Sequence, residues 1–442
     1  MNAPPPHASA QRPLILHIGL SKTGSSSIQR VLAEQRPAMR AQGAYLPLSP
    51  GWANHALLPA ACVSDTKILW GYHPGTWEGL TIPVRLARFR DEFAAEMDAL
   101  PDDVTRVVIT AEQLGGVLRL DEEVERLAEL LRRWFDPIQV VVYLRRQDQH
   151  AASAYSEWLR GGVLREPGLP AGGPEQHPEY DYGGLLDRWA RAFGAQAMVP
   201  RIFDRARLKG GDVVEDFLAL AEMTLPALEE NAKRQSNPSI NVAGQKLLLA
   251  AGRRMAARAG QTVWRDTPAW RRLAELSTEA FAGRGWRPTR GEARAFLARF
   301  EATNERARAR FFPDQPSLFD RDFSELPEVA RTEPDSIVAD AAIDALLHEV
   351  DASARREAQA AMTQYRLNRR LADRPGMRAC LVRAVKFAPD MLAARLRLAE
   401  FFVEEGDLRQ ARQHAEVALR LAPDDPAAQR LDRQTKAKKV LS

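Results

Sequence analysis

Short apolar runs alternate along the chain with segments in which apolar residues recur every three or four positions. Leu14-Ile-Leu-His-Ile18 is such a run and ends at Gly19, which predicts a buried strand. A Gly- and Ser-rich loop follows, Gly19 to Ser27, and then Ile28, Val31 and Leu32 at helical spacing. Gly43 closes this segment, and Pro37 is expected to kink or split the helix. Arg-Val-Val-Ile-Thr at 106–110 predicts a second buried strand. Asp121 is the expected N-cap of a helix carrying Val124, Leu127 and Leu131 on one face. Residues 138–144 predict a third strand, which runs into Arg145 and a helix with Ala151, Ala154, Tyr155, Trp158 and Leu159, ended by Gly161 and Gly162. Tyr182, Leu185, Leu186, Trp189 and Phe193 share a further helix face, capped by Gly194. A fourth strand is expected near Met198 to Phe203, at a sheet edge because Pro200 cannot donate to a ladder. Strands alternating with helices predict an α/β fold, a mostly parallel sheet flanked by helices.

Residues 161–181, rich in Gly and Pro and without period, predict a lid, a binding loop or a disordered segment. From Leu247 to Phe312 the pattern is helical and punctuated by arginines, best taken as a solvated face. Residues 326–336 are polar with two prolines and suggest a linker; all that follows is helical. Ala384-Val-Lys-Phe-Ala-Pro-Asp390 returns as Ala418-Leu-Arg-Leu-Ala-Pro-Asp424, an offset of 34 residues. Between the copies lie Ala394, Leu398, Ala399, Gly406, Ala411 and Ala415. Paired helices at this period with a late proline carry the tetratricopeptide signature. The expected organisation is therefore a disordered N-terminus at 1–13, an α/β domain at 14–325, a linker at 326–336, and an all-α extension at 337–442 with the repeat at about 377–437.

A net charge of +4 over 442 residues suits an anionic ligand and is too small to call for nucleic acid. Cys62 and Cys380 lie in no metal-type spacing and read as ordinary thiols. Met1 to Pro13 lacks an apolar signal core and no stretch approaches a membrane span, so a cytoplasmic protein without a transmembrane segment is expected.

Gly19-Leu-Ser-Lys-Thr-Gly-Ser-Ser-Ser27 has the spacing of a P-loop and then departs from it. A nucleotide triphosphatase needs Lys and then Ser or Thr after the second glycine. Here Ser25 and Ser26 stand there, and the lysine is Lys22, inside the loop. The loop can still cradle an anion, through the amides of residues 23–27 at a helix N-terminus. The strands at 106–110 and 138–144 lead to Ala111-Glu112 and to Arg145, so an ATP-dependent kinase with an aberrant P-loop lacks both its lysine and a good metal ligand.

Lys22-Thr-Gly-Ser-Ser26 in this setting resembles the 5′-phosphosulfate loop of the sulfotransferases that use 3′-phosphoadenosine 5′-phosphosulfate (PAPS). In that family an Arg at a later strand end and a Ser eight residues on hold the 3′-phosphate; Arg145 and Ser153 match. Tyr182 to Met223, Asn237-Pro-Ser239 and Phe311-Phe-Pro to Phe319 look like the bacterial carbohydrate-type members. The resemblance covers about 14–320 and omits the tail. It implies a P-loop-like sulfotransferase fold and a PAPS-binding set of Ser21, Lys22, Thr23, Gly24, Ser25, Ser26, Ser27, Arg145 and Ser153. No metal is implied, and adenosine 3′,5′-bisphosphate is the product. The family's Arg-Lys-Gly element is not evident; Arg234 and Asn237 are the candidate substitutes. Lys22 is the candidate cation for the charge developing on the leaving phosphate. Glu112, just past the second strand, is the candidate base, with His55 and then His73 behind it. Trp52, Trp70, Tyr72 and Trp77 either stack on a sugar or fill the core. The acceptor is a glycan, a glycolipid or a small hydroxylated molecule, and the tail offers a protein-partner or self-association surface. A non-enzymatic adaptor is the remaining alternative, and Lys22, Arg145 and Ser153 in one chain argue against it.

Overall fold

The computed structural model describes residues 11–65, 76–77, 80–226, 239–259, 265, 267–330 and 337–437. His73, Trp70, Tyr72, Arg234 and Asn237 lie outside the described residues, as does the side chain of Trp77. The chain divides into two compact units: 1–155 with 167–238 and 286–331, and 156–166 with 239–285 and 332–442.

The first unit is built on five strands: β1 (Arg12–Ile18), β2 (Ala44–Tyr45), β5 (Arg106–Ala111), β6 (Phe135–Leu144) and β7 (Met198–Ile202); β3 (Thr76–Trp77) and β4 (Leu80–Thr81) form a separate antiparallel pair. The order is β2-β5-β1-β6-β7 and every pairing is parallel. The expected α/β architecture, a parallel sheet flanked by helices with a helical C-terminal region, is what the chain adopts. β7, with Pro200, is an edge strand as expected.

Parallel strands covered on both faces need apolar residues in unbroken runs, which is why the central strands were legible. Successive side chains divide between two cores. Leu14, Leu16 and Ile18 join Ile109, Val140 and Val142 under the helices Ile82–Asp98, Asp121–Leu131 and Tyr182–Phe193. Ile15, Val108, Val141 and Tyr143 face the opposite way, against Ile28 and Leu32 of the helix Ser25–Glu34 and Phe217 of the helix Val213–Leu220. The segments after β1 and β5 thus cross opposite faces, and such a reversal opens a crevice at the carboxyl ends of the strands. Pro37 sits in the first turn of a separate helix, Arg36–Arg40, after a break at Gln35. Asp121 is a first helical residue rather than a cap: the cap position is Leu120, whose amide donates to Glu123 at 3.0 Å. At the start of the expected linker, Arg290 donates from Nε to the Leu326 carbonyl and from Nη1 to Glu328 Oε1.

In the second unit the helices Val242–Ala259 and Pro268–Ala280 pack on the long helix Ile337–Arg370. Four helices follow: Arg374–Phe387, Leu392–Glu405, Leu408–Leu421 and Pro426–Ala437. Ala384, Ala394, Leu398, Ala399, Ala411, Ala415 and Ala418 are all buried, so the small residues of the repeat are its helix contacts. Among the described residues no helix is long and apolar enough to cross a membrane.

Candidate functional site

The loop from Gly19 to Gly24 joins β1 to the helix Ser25–Glu34 at the carboxyl edge of the sheet. Its shape is set from within. The Thr23 and Ser25 hydroxyls both donate to the carbonyl of Leu20, at 2.8 and 3.1 Å, and both side chains are buried. Lys22 holds φ at 61° and Gly24 at 83°. A left-handed lysine costs about 1–2 kcal/mol, so other contacts must hold it. The helix has no side-chain cap and no acidic residue in its first turn, which suits its positive end to an anion. Ser26 is exposed there.

Glu112 begins the short helix after β5 and is half-buried. Its amide donates to Asn54 Oδ1 at 3.3 Å. Gly19 lies so close that a Cβ there would come within 2.9 Å of the Glu112 Cα, so any side chain at 19 would push loop and glutamate apart.

Arg145 follows β6, the neighbour of β1, and donates from Nη1 to the Lys22 carbonyl at 2.9 Å. Its guanidinium lies 5.5 Å from the Phe203 ring centroid. Its Nε is buried without a hydrogen-bond partner, and among the described residues no carboxylate is ion-paired with it. Burial lowers its pKa, while Tyr182 and Asp148 act in the opposite direction. A half-buried cation with a buried, unused donor suits an anion bound from outside the chain. Ser153 lies in the helix Gln147–Arg160 and is half-buried.

His55 stands in a different position from a surface base. It is fully buried, its amide donates to the Thr110 carbonyl at 2.9 Å, and its Nδ1 accepts the Thr110 amide at 3.1 Å. Burial first, and then the Arg36 cation, hold its pKa down at about 3. The imidazole completes backbone pairing at the end of β5. Trp52 is 62% exposed with the Arg36 guanidinium 5.5 Å from its ring centroid.

His150 was not singled out in the sequence, and Tyr182 was expected only on a helix face, not at the site. His150 is buried in the helix after Arg145, with Nε2 3.1 Å from Ser21 Oγ and Nδ1 3.0 Å from Tyr182 Oη. The Tyr182 hydroxyl donates to the Arg145 carbonyl at 2.6 Å. Burial, then the cations of Arg145 and Lys22, hold the His150 pKa down at about 3. The available signal was its position three residues before Ser153, one helical turn away on the same face.

The tetratricopeptide repeat family matches residues 379–435. An uncharacterized protein of Archaeoglobus fulgidus is 30% identical over 103 residues, 23% of this chain; the chain spans 27% of that relative's length. A solved sulfotransferase structure from Alicyclobacillus acidocaldarius is similar at a TM-score of 0.29 and 17% identity, over 57% of this chain and 99% of that one.

Proposed function

We propose that the chain moves a sulfuryl group from PAPS to a hydroxyl or amine of an acceptor, a glycan or glycolipid by the sequence resemblance. One observation carries the reading. The Gly/Ser loop and Arg145 end neighbouring parallel strands and touch through the 2.9 Å Arg145–Lys22 hydrogen bond. A donor with phosphates at both its 3′ and 5′ positions needs two such anion sites side by side.

In this reading the 5′-phosphate takes the amino end of the helix Ser25–Glu34 and the hydroxyls of Ser26 and Ser27. The Thr23 and Ser25 hydroxyls, committed to Leu20, shape the loop, and these residues act on ligand through their amides. Arg145 and Ser153 take the 3′-phosphate, with the unused Arg145 Nε supporting the fit. The donor supplies a sulfuryl group whose departure leaves negative charge on the 5′-phosphate. Lys22 stabilises that charge as it grows. Glu112, beside the loop, takes the acceptor's proton; His55, with its Nδ1 lone pair used by Thr110, is set aside as the base. Catalysis is assigned to 14–325, and the repeat-bearing tail to bringing a partner or acceptor.

The test is calorimetric titration of adenosine 3′,5′-bisphosphate and, separately, of magnesium ATP, followed by transfer of labelled sulfate from PAPS into polysaccharide and lipid fractions. Binding of the bisphosphate without ATP, with label transferred, is expected. Binding of ATP alone would sink the reading in favour of a kinase.

A further inference from the structure

The hydrogen bonds around His150 have only one consistent direction. The Arg145 carbonyl can only accept, so the Tyr182 hydroxyl spends its proton there. Tyr182 Oη is then an acceptor towards His150, which requires a proton on Nδ1. In the neutral ring Nε2 is therefore bare and accepts from the Ser21 hydroxyl. The chain runs Ser21 to His150 to Tyr182 to the Arg145 backbone, and it links the loop after β1 to the end of β6.

We infer that His150 is a positioning residue: its neutral Nδ1–H tautomer fixes the Ser21 hydroxyl and ties the Gly19–Ser27 loop to the strand end that carries Arg145. The consequence for ligand is specific. With its proton given to His150, Ser21 has only lone pairs to offer and donates nothing to a phosphate oxygen, so its contribution to anion binding is the loop's shape. A second tie, from Arg145 Nη1 to the Lys22 carbonyl, fastens the next residue of the same loop to the same strand end. The two together hold a left-handed Lys22 that would otherwise relax. The ligand arm of this inference rests on the proposed donor site; the tautomer and the tie do not.

The two ring contacts can be separated by substitution. In His150→Gln the side-chain oxygen reaches the Nε2 position and can still accept from Ser21, whereas His150→Asn reaches only the Nδ1 position. Nitrogen-15 NMR of the ligand-free full-length protein should identify the Nδ1–H tautomer of His150. Amide exchange at residues 21–26 should be about three- to tenfold faster in His150→Ala, His150→Asn and Ser21→Ala, the weight of one net hydrogen bond. It should stay near wild type in His150→Gln, and adding Ser21→Ala to His150→Ala should change nothing further. Adenosine 3′,5′-bisphosphate affinity should fall by the same factor in the same variants. An Nε2–H tautomer, or His150→Gln behaving as His150→Ala at an unchanged melting temperature, overturns the inference. If the alanine variants of His150 do not fold, Ser21→Ala alone decides: an unaltered loop exchange rate overturns it. A wild-type protein that binds no bisphosphate refutes the sulfotransferase reading alone, because the NMR and exchange arms use no ligand.

Discussion

In the proposed reading Lys22 serves the chemical step, whereas Arg145 both binds the 3′-phosphate and holds the loop, and substitution separates these roles. Lys22→Ala should lower turnover at saturating donor by about 10²–10³-fold, the scale of removing one charge-stabilising group, while bisphosphate affinity changes little. A collapse of affinity at unchanged turnover would remove Lys22 from the chemical step. Arg145→Ala should weaken bisphosphate binding by about 2–5 kcal/mol, as when one side of a buried charge pair is removed. The guanidinium also holds the Lys22 carbonyl. A smaller loss, about 1–2 kcal/mol, should therefore persist with an analogue lacking the 3′-phosphate. Equal binding of that analogue by variant and wild type would mean the Lys22 contact does not shape the loop.

At the scale of elements, the repeat is visible in its turns as well as its helices. Arg374–Phe387 and Leu408–Leu421 begin 34 residues apart, as do Leu392–Glu405 and Pro426–Ala437. Asp373 and Asp407 cap equivalent helices by accepting the amides of Gly376 and Gln410. The residue before each cap is left-handed: Gly406 at φ 80° and Ala372 at φ 53°. Glycine adopts that conformation without steric cost, and alanine does not. Ala372→Gly should therefore stabilise the tail by about 0.5–1 kcal/mol despite the glycine's freer unfolded chain. An unchanged or lower urea midpoint would show that this turn is not strained. What was legible follows the same logic of local pattern. β1, β5 and β6 carry buried apolar runs toward their carboxyl ends because both faces are covered there, and the ends of β5 and β6 named Glu112 and Arg145. β2 is two residues long and has no period to read. The helix Ile82–Asp98 carried its signal in Ile82, Leu86, Phe89, Phe93 and Met97, but the expected elements passed over it. His150 was hidden for another reason: its partners, Ser21 and Tyr182, are distant in sequence. The grouping of 239–285 with the tail likewise depends on contacts between remote helices.

At the scale of the whole molecule, buried neutral histidines set the response to acid. Of the eight histidines, His17, His55 and His150 are held at a pKa of about 3 and His414 at about 4. Burial is the first cause for each, joined at His55 by Arg36, at His150 by Arg145 and Lys22, and at His414 by Arg395. An unfolded histidine titrates near 6.5, so below that pH the unfolded chain binds protons that the folded chain refuses. Stability then rises with pH across this window and falls as pH drops from about 6.5 towards 4, by up to about 1.4 kcal/mol per pH unit for each histidine. Carboxylates act lower down. Burial alone would raise the Asp216 pKa, but hydrogen bonds from Arg201, the Lys209 amide and Tyr143 outweigh it and hold it below the usual range. The stability it adds is lost only as pH falls below about 4. Three of the four histidines belong to the first compact unit, so that unit should lose stability more steeply than the repeat-bearing one. Urea midpoints at pH 7.5, 6 and 5 should fall in order. His17→Asn, which keeps a polar atom near Thr110 Oγ1, should flatten the dependence by about one proton. A midpoint constant from pH 7.5 to 5 would mean these rings are solvated in the folded chain, and the neutral His150 that orients Ser21 would fall with them.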